Sequence, residues 1–200
     1  MKIIIAGCGK VGYALAQQLN DEGHELTLID NSADRLQPAL SNLDLQGVVG
    51  NASSFLTLLE AGIEHADLLI AVTGQDEINL ISCLLAKKAS KCRTIARVRN
   101  PEYFREINYL KECMDISMII NPESAAANAI AQLIQVPDAM DIDSFANGKV
   151  DLMQVVITED SPLHNMKVQD FSRKFNHEIL ICILVHDHQV CIPNGNSVLM

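Results

Sequence analysis

Three glycines stand at the spacing Gly-x-Gly-x-x-Gly in the stretch Gly7-Cys8-Gly9-Lys10-Val11-Gly12, directly behind the apolar run "MKIIIA". Each has a physical use. Gly7 permits a tight turn, Gly9 lets the main chain approach an anion, and Gly12 lets a following helix pack close to a sheet. An anion held there would lie at the positive end of that helix, which suits the pyrophosphate of a dinucleotide. The pattern is weak alone. Its context strengthens it, because it follows a strand-like run and opens a helix-like one. Lys10 sits inside the loop, where its ammonium either reaches a terminal phosphate or is an ordinary surface charge.

A second requirement is an acidic side chain at the end of the next strand, and Asp30 closes "ELTLID". A carboxylate there can accept hydrogen bonds from ribose hydroxyls and repels a 2′-phosphate, which favours NAD or adenosine nucleotides over NADP. The competing role is a helix N-cap or a loop charge. Two further stretches, "VTG" (72–74) and "ARVRN" (96–100), fall where C-terminal strand ends should face the same crevice. Thr73 offers a hydroxyl and Gly74 a backbone N–H. Arg97 faces a phosphate, another subunit or solvent; Arg99 is the more solvent-directed of the two.

Groups able to turn a bound nucleotide over are not visible. A dehydrogenase must move a proton while hydride travels, and the chain has no Tyr-x-x-x-Lys pair. His24 and His65 precede strands, on the far side of the sheet from the crevice, and His164, His177, His186 and His188 belong to the C-terminal part. His186 and His188 read as exposed turn residues ahead of a metal pair. No Walker-type loop is present. A nucleotide fold without such groups points to sensing, in which the ligand binds two shapes unequally. A small NAD-dependent oxidoreductase is the alternative, and a nucleotide fold kept only for assembly is a third reading.

The elements that must position these residues alternate. Strands are expected at 2–6, 24–30, 45–50, 66–73, 93–98 and 116–121. Helices are expected at 10–23, 32–43, 53–63, 76–90, 101–113 and 122–136, with Ser32 as an N-cap, Pro38 as a break or bend, and Gly23 as a stop. Asp76 and Glu77 at the start of their helix and Lys87 and Lys88 at its end match the helix dipole. This alternation calls for a Rossmann-like doubly wound parallel sheet with helices on both faces. After Pro137 the pattern changes to a strand at 151–160, a short helix in 161–171 and a hairpin around His186–His188. The division expected is a nucleotide-binding domain at 1–136, a linker at 137–150 and a small α+β module at 151–200, cut short at its end.

The 200 residues are 48% hydrophobic and 20% charged, an ordinary globular composition. A net charge of −10 argues against a free nucleic-acid binder. No signal peptide and no membrane-spanning run is visible, so a membrane link must come through a partner. The six cysteines form no C-x-x-C pair, and most lie in apolar runs, which reads as reduced, buried thiol in a cytosolic protein without a metal site.

Several stretches together resemble the N-terminal part of the Trk potassium-uptake protein A family, the family of RCK (regulator of potassium conductance, or KTN) domains. They are "MKIIIAGCGKVGYALAQQL", "LTLIDNSADRL", "VVGNASSFLTLLEAGIEHADLLIAVTGQDEINLISCLLAKK", "TIARVRNPEY" and "INPESAAANAIAQLI". "DEINL" and "ARVRNPEY" are more specific than the glycine loop. The tail "SPLHNMKVQDF…ILICILVHDHQVCIPNGNSVL" is similar to the RCK C-terminal module, but stops before the strand that completes it. The resemblance implies a cytoplasmic regulatory subunit, not an enzyme. Such a subunit lies peripheral to the inner face of the cell membrane, self-associates as a dimer or larger ring, and gates a potassium-translocating membrane subunit. It implies NAD(H) or ATP/ADP as the regulatory ligand. Contacts carried over by motif fall on Gly7, Cys8, Gly9, Lys10, Val11, Asp30, Asn31, Thr73, Gly74 and Arg97, with Asn51 and Ala52 as neighbours. Glu123 matches a position that in some relatives helps form an inter-subunit cation site.

Overall fold

A computed structural model of the chain describes residues 1–135, 139–145, 149–175, 179–186 and 189–200. Pro137, His177, Asp187 and His188 lie outside the described residues. The chain divides into two compact units, Met1–Ala127 and Asn128–Met200.

The first unit is built on strands β1 (Lys2–Ala6), β2 (Glu25–Asp30), β3 (Gln46–Val49), β4 (Leu68–Ala71), β5 (Arg93–Arg97) and β6 (Met118–Ile120). All pair in parallel, in the order β3-β2-β1-β4-β5-β6. The order reverses between β1 and β4, the place where an open α/β sheet leaves a crevice beyond its strand ends. Its helices are α1 (Lys10–Asp21), α2 (Ala33–Asn42), α3 (Phe55–Glu60), α4 (Asp76–Ala89), α5 (Pro101–Arg105) and α6 (Ile107–Cys113), and α7 (Pro122–Gln135) begins in it and runs across the division at Ala127. The doubly wound parallel sheet is the fold expected from the alternation.

Each face of the sheet has its own core. Ile3 and Ile5 of β1 point to one side with Leu26, Leu28, Leu36 and Ile70; Ile4 and Ala6 point to the other with Leu58, Ile63, Leu69, Leu80 and Cys83. A strand buried on both faces must be apolar at every position, which explains the unbroken runs of β1 and β4.

Local details depart from expectation. α2 runs through Pro38 without breaking. Pro38 is exposed while Leu36 and Ala39 are buried, so the hydrogen bond it removes lies on the water side, where solvent can replace it. Ser32 occupies the N-cap position but makes no side-chain cap bond. The helix expected at 101–113 is two, since Glu106 leaves helical geometry and donates its N–H to the Tyr103 carbonyl at 3.2 Å. Gly23 stops α1 at φ +78°.

In the second unit β7 (Ala139–Phe145) pairs antiparallel with β8 (Val150–Val155), within a stretch expected to be linker and shorter than the strand expected at 151–160. The helix α8 (Val168–Phe175) follows, and β9 (Leu184–His186) pairs antiparallel with β10 (Gln189–Cys191). Leu199, 2% exposed, is held by hydrogen bonds between its backbone and Asn165 and Met166. Cys8, Cys83 and Cys92 are buried, whereas Cys113, Cys182 and Cys191 are exposed; the apolar runs around Cys182 and Cys191 are not covered as a sheet core is. Burial, with a smaller contribution from nearby Cys92, pushes the Cys83 thiol up to about 12. No helix among the described residues is long and apolar enough to cross a membrane.

Candidate functional site

The glycine loop is shaped by what lies against it. Gly7 has φ +104°, and a Cβ there would stand 2.9 Å from the backbone of Thr73, so glycine is needed for both the turn and the approach of β4's end. A Cβ on Gly12 would stand 1.8 Å from the Gly7 carbonyl oxygen. That glycine therefore lets α1 close onto the loop itself, with the sheet contact through Val72 secondary at 3.5 Å. A Cβ on Gly9 would meet nothing within 4 Å. The protein does not require glycine there; the open space in front of Gly9 is the cavity. The first turn of α1, whose N–H groups have no intrahelical acceptor, borders that cavity at Gly9, Lys10 and Val11.

The cavity has a volume of about 710 Å³ and lies beyond the C-terminal ends of the central strands. Its lining brings together Gly7, Gly9, Lys10, Val11, Asp30, Asn31, Asn51, Ala52, Thr73, Gly74 and Arg97. Cys8 and Gly12 are not part of the lining; both serve through the backbone. Sequence reasoning missed Ile29, Arg35, Gly50, Val72, Gln75 and Ile78, which complete the wall. A separate, more open cavity of about 510 Å³ at the other end of the strands is lined by His65, Asp67, Lys91 and Arg93 among others. His65 is thus on the side away from the crevice, as expected.

Asp30 is 6% exposed and already engaged. Its Oδ2 accepts the Cys8 N–H at 2.8 Å, its Oδ1 accepts the Ser32 N–H at 3.0 Å, and Arg35 Nη1 stands 3.7 Å from Oδ1. The carboxylate therefore fastens the glycine loop to the start of α2 while bordering the cavity. Each oxygen retains a lone pair for a further donor. The Cys8 thiol donates to the Arg35 carbonyl at 3.1 Å. Burial, and then the charge of Asp30, push its pKa up against the opposing pull of Arg35.

The opposite wall is held by side chains that the motif search did not single out. Asn79 of α4 is fully buried. Its Oδ1 accepts the Thr73 N–H at 2.8 Å and the Thr73 hydroxyl at 2.7 Å, and its Nδ2 donates to the Arg97 carbonyl at 2.9 Å. One amide thus ties the end of β4 to the end of β5. The Thr73 hydroxyl, expected to face a ligand, has acceptors of its own in Asn79 Oδ1 and, at 3.1 Å, the Gln75 carbonyl. Asp76 Oδ2 accepts the N–H groups of Arg99 and Asn100 at 2.8 and 2.7 Å. Asp76 and Asn79 both lie in "DEINL", on the same helical stripe as the buried Cys83 and Ala86. Polar residues on an apolar stripe were the signal that could have found them.

Arg97 borders the cavity, but its guanidinium Nη2 donates to Glu123 Oε1 in the first turn of α7. Its Nε is buried and has no hydrogen-bond partner among the described residues. Glu123, which the family resemblance assigned to a cation site between subunits, is occupied here by an arginine of its own unit. Arg99 Nη2 donates to the Gly74 carbonyl, and Arg99 Nε stands 3.7 Å from Asp76 Oδ1.

The TrkA-N domain family matches residues 3–122. The Trk system potassium uptake protein TrkA homolog of Archaeoglobus fulgidus is 35% identical over 199 residues, covering 100% of this chain and 45% of that protein. The Trk system potassium uptake protein TrkA of Haemophilus influenzae is 35% identical over 202 residues, covering 99% and 44%. The chain spans less than half the length of these curated relatives. Among solved structures, the TrkA-N domain of the inner membrane protein ybaL from Escherichia coli superposes with a TM-score of 0.59 at 22% identity, covering 66% of this chain and 96% of that one. The GsuK channel bound to NAD superposes with a TM-score of 0.64 at 15% identity, covering 99% and 35%. At such identities these structures share the fold.

Proposed function

The chain belongs to the TrkA-N domain family, and from that premise we propose that it is a regulatory module of a potassium transport system. It binds NAD(H), ATP or ADP in the glycine-loop crevice. Occupancy changes its shape, and that change gates a potassium-translocating membrane subunit from the cytoplasmic face, with the module self-associated. The observation that carries this reading is the crevice itself. It is open in front of Gly9, bordered by the first turn of α1 and by Asp30, and placed where the strand order reverses.

Each part has a role. The N–H groups of the first turn of α1 receive phosphate oxygens, and Lys10 and Arg97 add cationic side chains along the wall. Asp30 accepts ribose hydroxyls with the lone pairs its clamp leaves open. Asn31, Asn51 and Ala52 border the nucleoside end, and Thr73 and Gly74 the far end. The charged groups bordering the crevice are ones that hold a ligand. Asp30 is tied to the loop and Arg97 to Glu123, and neither stands free to shuttle a proton.

A thermal-shift titration with NADH, NAD, ATP and ADP side by side tests the reading. At least one nucleotide should raise the melting temperature in a saturable way without being consumed. No shift with any of the four would remove the nucleotide. Steady NADH oxidation with a carbonyl substrate would transfer the crevice to the oxidoreductase reading.

A further inference from the structure

Among the described residues Arg97 is the one cation of the crevice wall that is paired with a carboxylate outside the crevice, and this fixes what a ligand must do to reach it. Its side chain is 14% exposed, whereas that of Glu123 is 53% exposed. The guanidinium is thus largely enclosed beside the cavity, and its partner lies at the water boundary. One guanidinium donor, Nη2, is given to Glu123, while Nε is buried without a hydrogen-bond partner among the described residues. The carbonyl of Arg97 is held by Asn79, so the backbone stays in place while the side chain turns.

We propose that Glu123 is a built-in competitor for the crevice's anionic ligand, occupying Arg97 until a terminal phosphate displaces it, so that this one carboxylate sets how strongly the site prefers phosphorylated ligands. The inference rests on the nucleotide reading above and adds a specificity-determining residue to it.

The chemistry favours such an exchange. A phosphate carries more charge than a carboxylate and presents several acceptor oxygens, which suits the fork of donors on a guanidinium that has one donor unsatisfied. Glu123 loses little on release. Its side chain is exposed, so water can solvate the freed carboxylate, and it sits in the first turn of α7 where the helix N-terminus stabilises an anion. Arg99, whose charge also acts on Glu123, stays bound to the Gly74 carbonyl and close to Asp76. Ligand arrival therefore breaks one contact, at the start of α7, and leaves the Asn79 and Asp76 latches closed.

The test is equilibrium binding of adenosine, AMP, ADP and ATP to the wild-type chain, to Glu123→Gln, to Arg97→Gln and to the double variant, each checked for folding by its melting curve. Glu123→Gln should tighten ATP and ADP binding by about two- to fivefold, the reciprocal of a weak ion pair. It should leave adenosine unchanged. Arg97→Gln should weaken ATP binding, and adding Glu123→Gln to it should have no further effect. Unchanged or weaker ATP binding by a folded Glu123→Gln, or an equal gain for adenosine, would overturn the competitor while leaving the nucleotide reading intact. If the wild-type chain binds none of the four, or NADH, the nucleotide reading falls and takes the competitor with it.

Discussion

Strands β4 and β8 are both rich in apolar side chains, yet they meet opposite fates. In β4, Leu69, Ile70 and Ala71 are all buried, while every residue of β8 is exposed. β4 has a strand on each side and a core on each face. Among the described residues β8 pairs with β7 alone. Burial is therefore a property of what covers a strand and not of its composition. The same contrast decides where a site can form. Parallel strands bring all their C-terminal ends to one side, together with the loops that follow them. An antiparallel pair sends its ends to opposite sides and gathers no such rim.

The largest effect should come from deleting the covered side. Leu69→Ala removes a fully buried side chain and should cost about 2–5 kcal/mol in urea unfolding. Leu152→Ala in β8, where the side chain is 45% exposed, should cost less than about 1 kcal/mol. Equal costs would break the comparison, and would mean that the β7–β8 face is covered in solution.

Asn79 comes next, because it lies at full burial yet contributes through polarity. Asn79→Ala leaves the Thr73 N–H and the Arg97 carbonyl without their partner, at a cost of about 1–3 kcal/mol. It should also weaken nucleotide binding in the thermal-shift titration by loosening the ends of β4 and β5. Asn79→Asp keeps an acceptor for Thr73 but cannot donate to the Arg97 carbonyl when ionised. It should therefore rescue only part of either loss. A loss of stability with nucleotide binding untouched would assign Asn79 to the core alone.

The parts of the molecule that follow from local chemistry were legible in the sequence. Unbroken apolar runs marked β1 and β4, helical spacing marked α1, acidic and basic ends marked α4, and the glycine spacing with Asp30 marked one wall of the crevice. What was hidden depends on partners distant in the chain. The β7 segment carries Asp141 and Asp143, residues disfavoured in strands, and becomes a strand through its pairing with β8. The Arg97–Glu123 pair joins residues 26 apart, and the Asn79–Arg97 bond residues 18 apart. Residue types on a motif show what chemistry is available. They do not show that the Thr73 hydroxyl already has Asn79 and Gln75 as acceptors or that Arg97 is already taken. Pro38 was misjudged for a related reason, since its cost depends on which side of α2 faces water.

The smallest effect separates a covered group from an exposed one at the crevice rim. The pKa of Glu123 is lowered, first by a hydrogen bond to its own backbone N–H; burial opposes this, and Arg97 and then Arg99 lower it further. A carboxyl whose pKa is lower in the folded state adds stability where the unfolded chain is already ionised, and loses it as pH falls through the folded value. The stability difference between wild type and Glu123→Gln should therefore be constant above about pH 6, where the unfolded carboxyl is ionised, and shrink toward zero as pH falls through the folded value. Its full size should be less than about 1 kcal/mol, because the side chain is largely in water and screened by salt. High salt should reduce it further at neutral pH. A larger, salt-insensitive difference would mean that the pair is enclosed as tightly as β4, and an exchange of Arg97 between Glu123 and a phosphate would then meet a far steeper barrier.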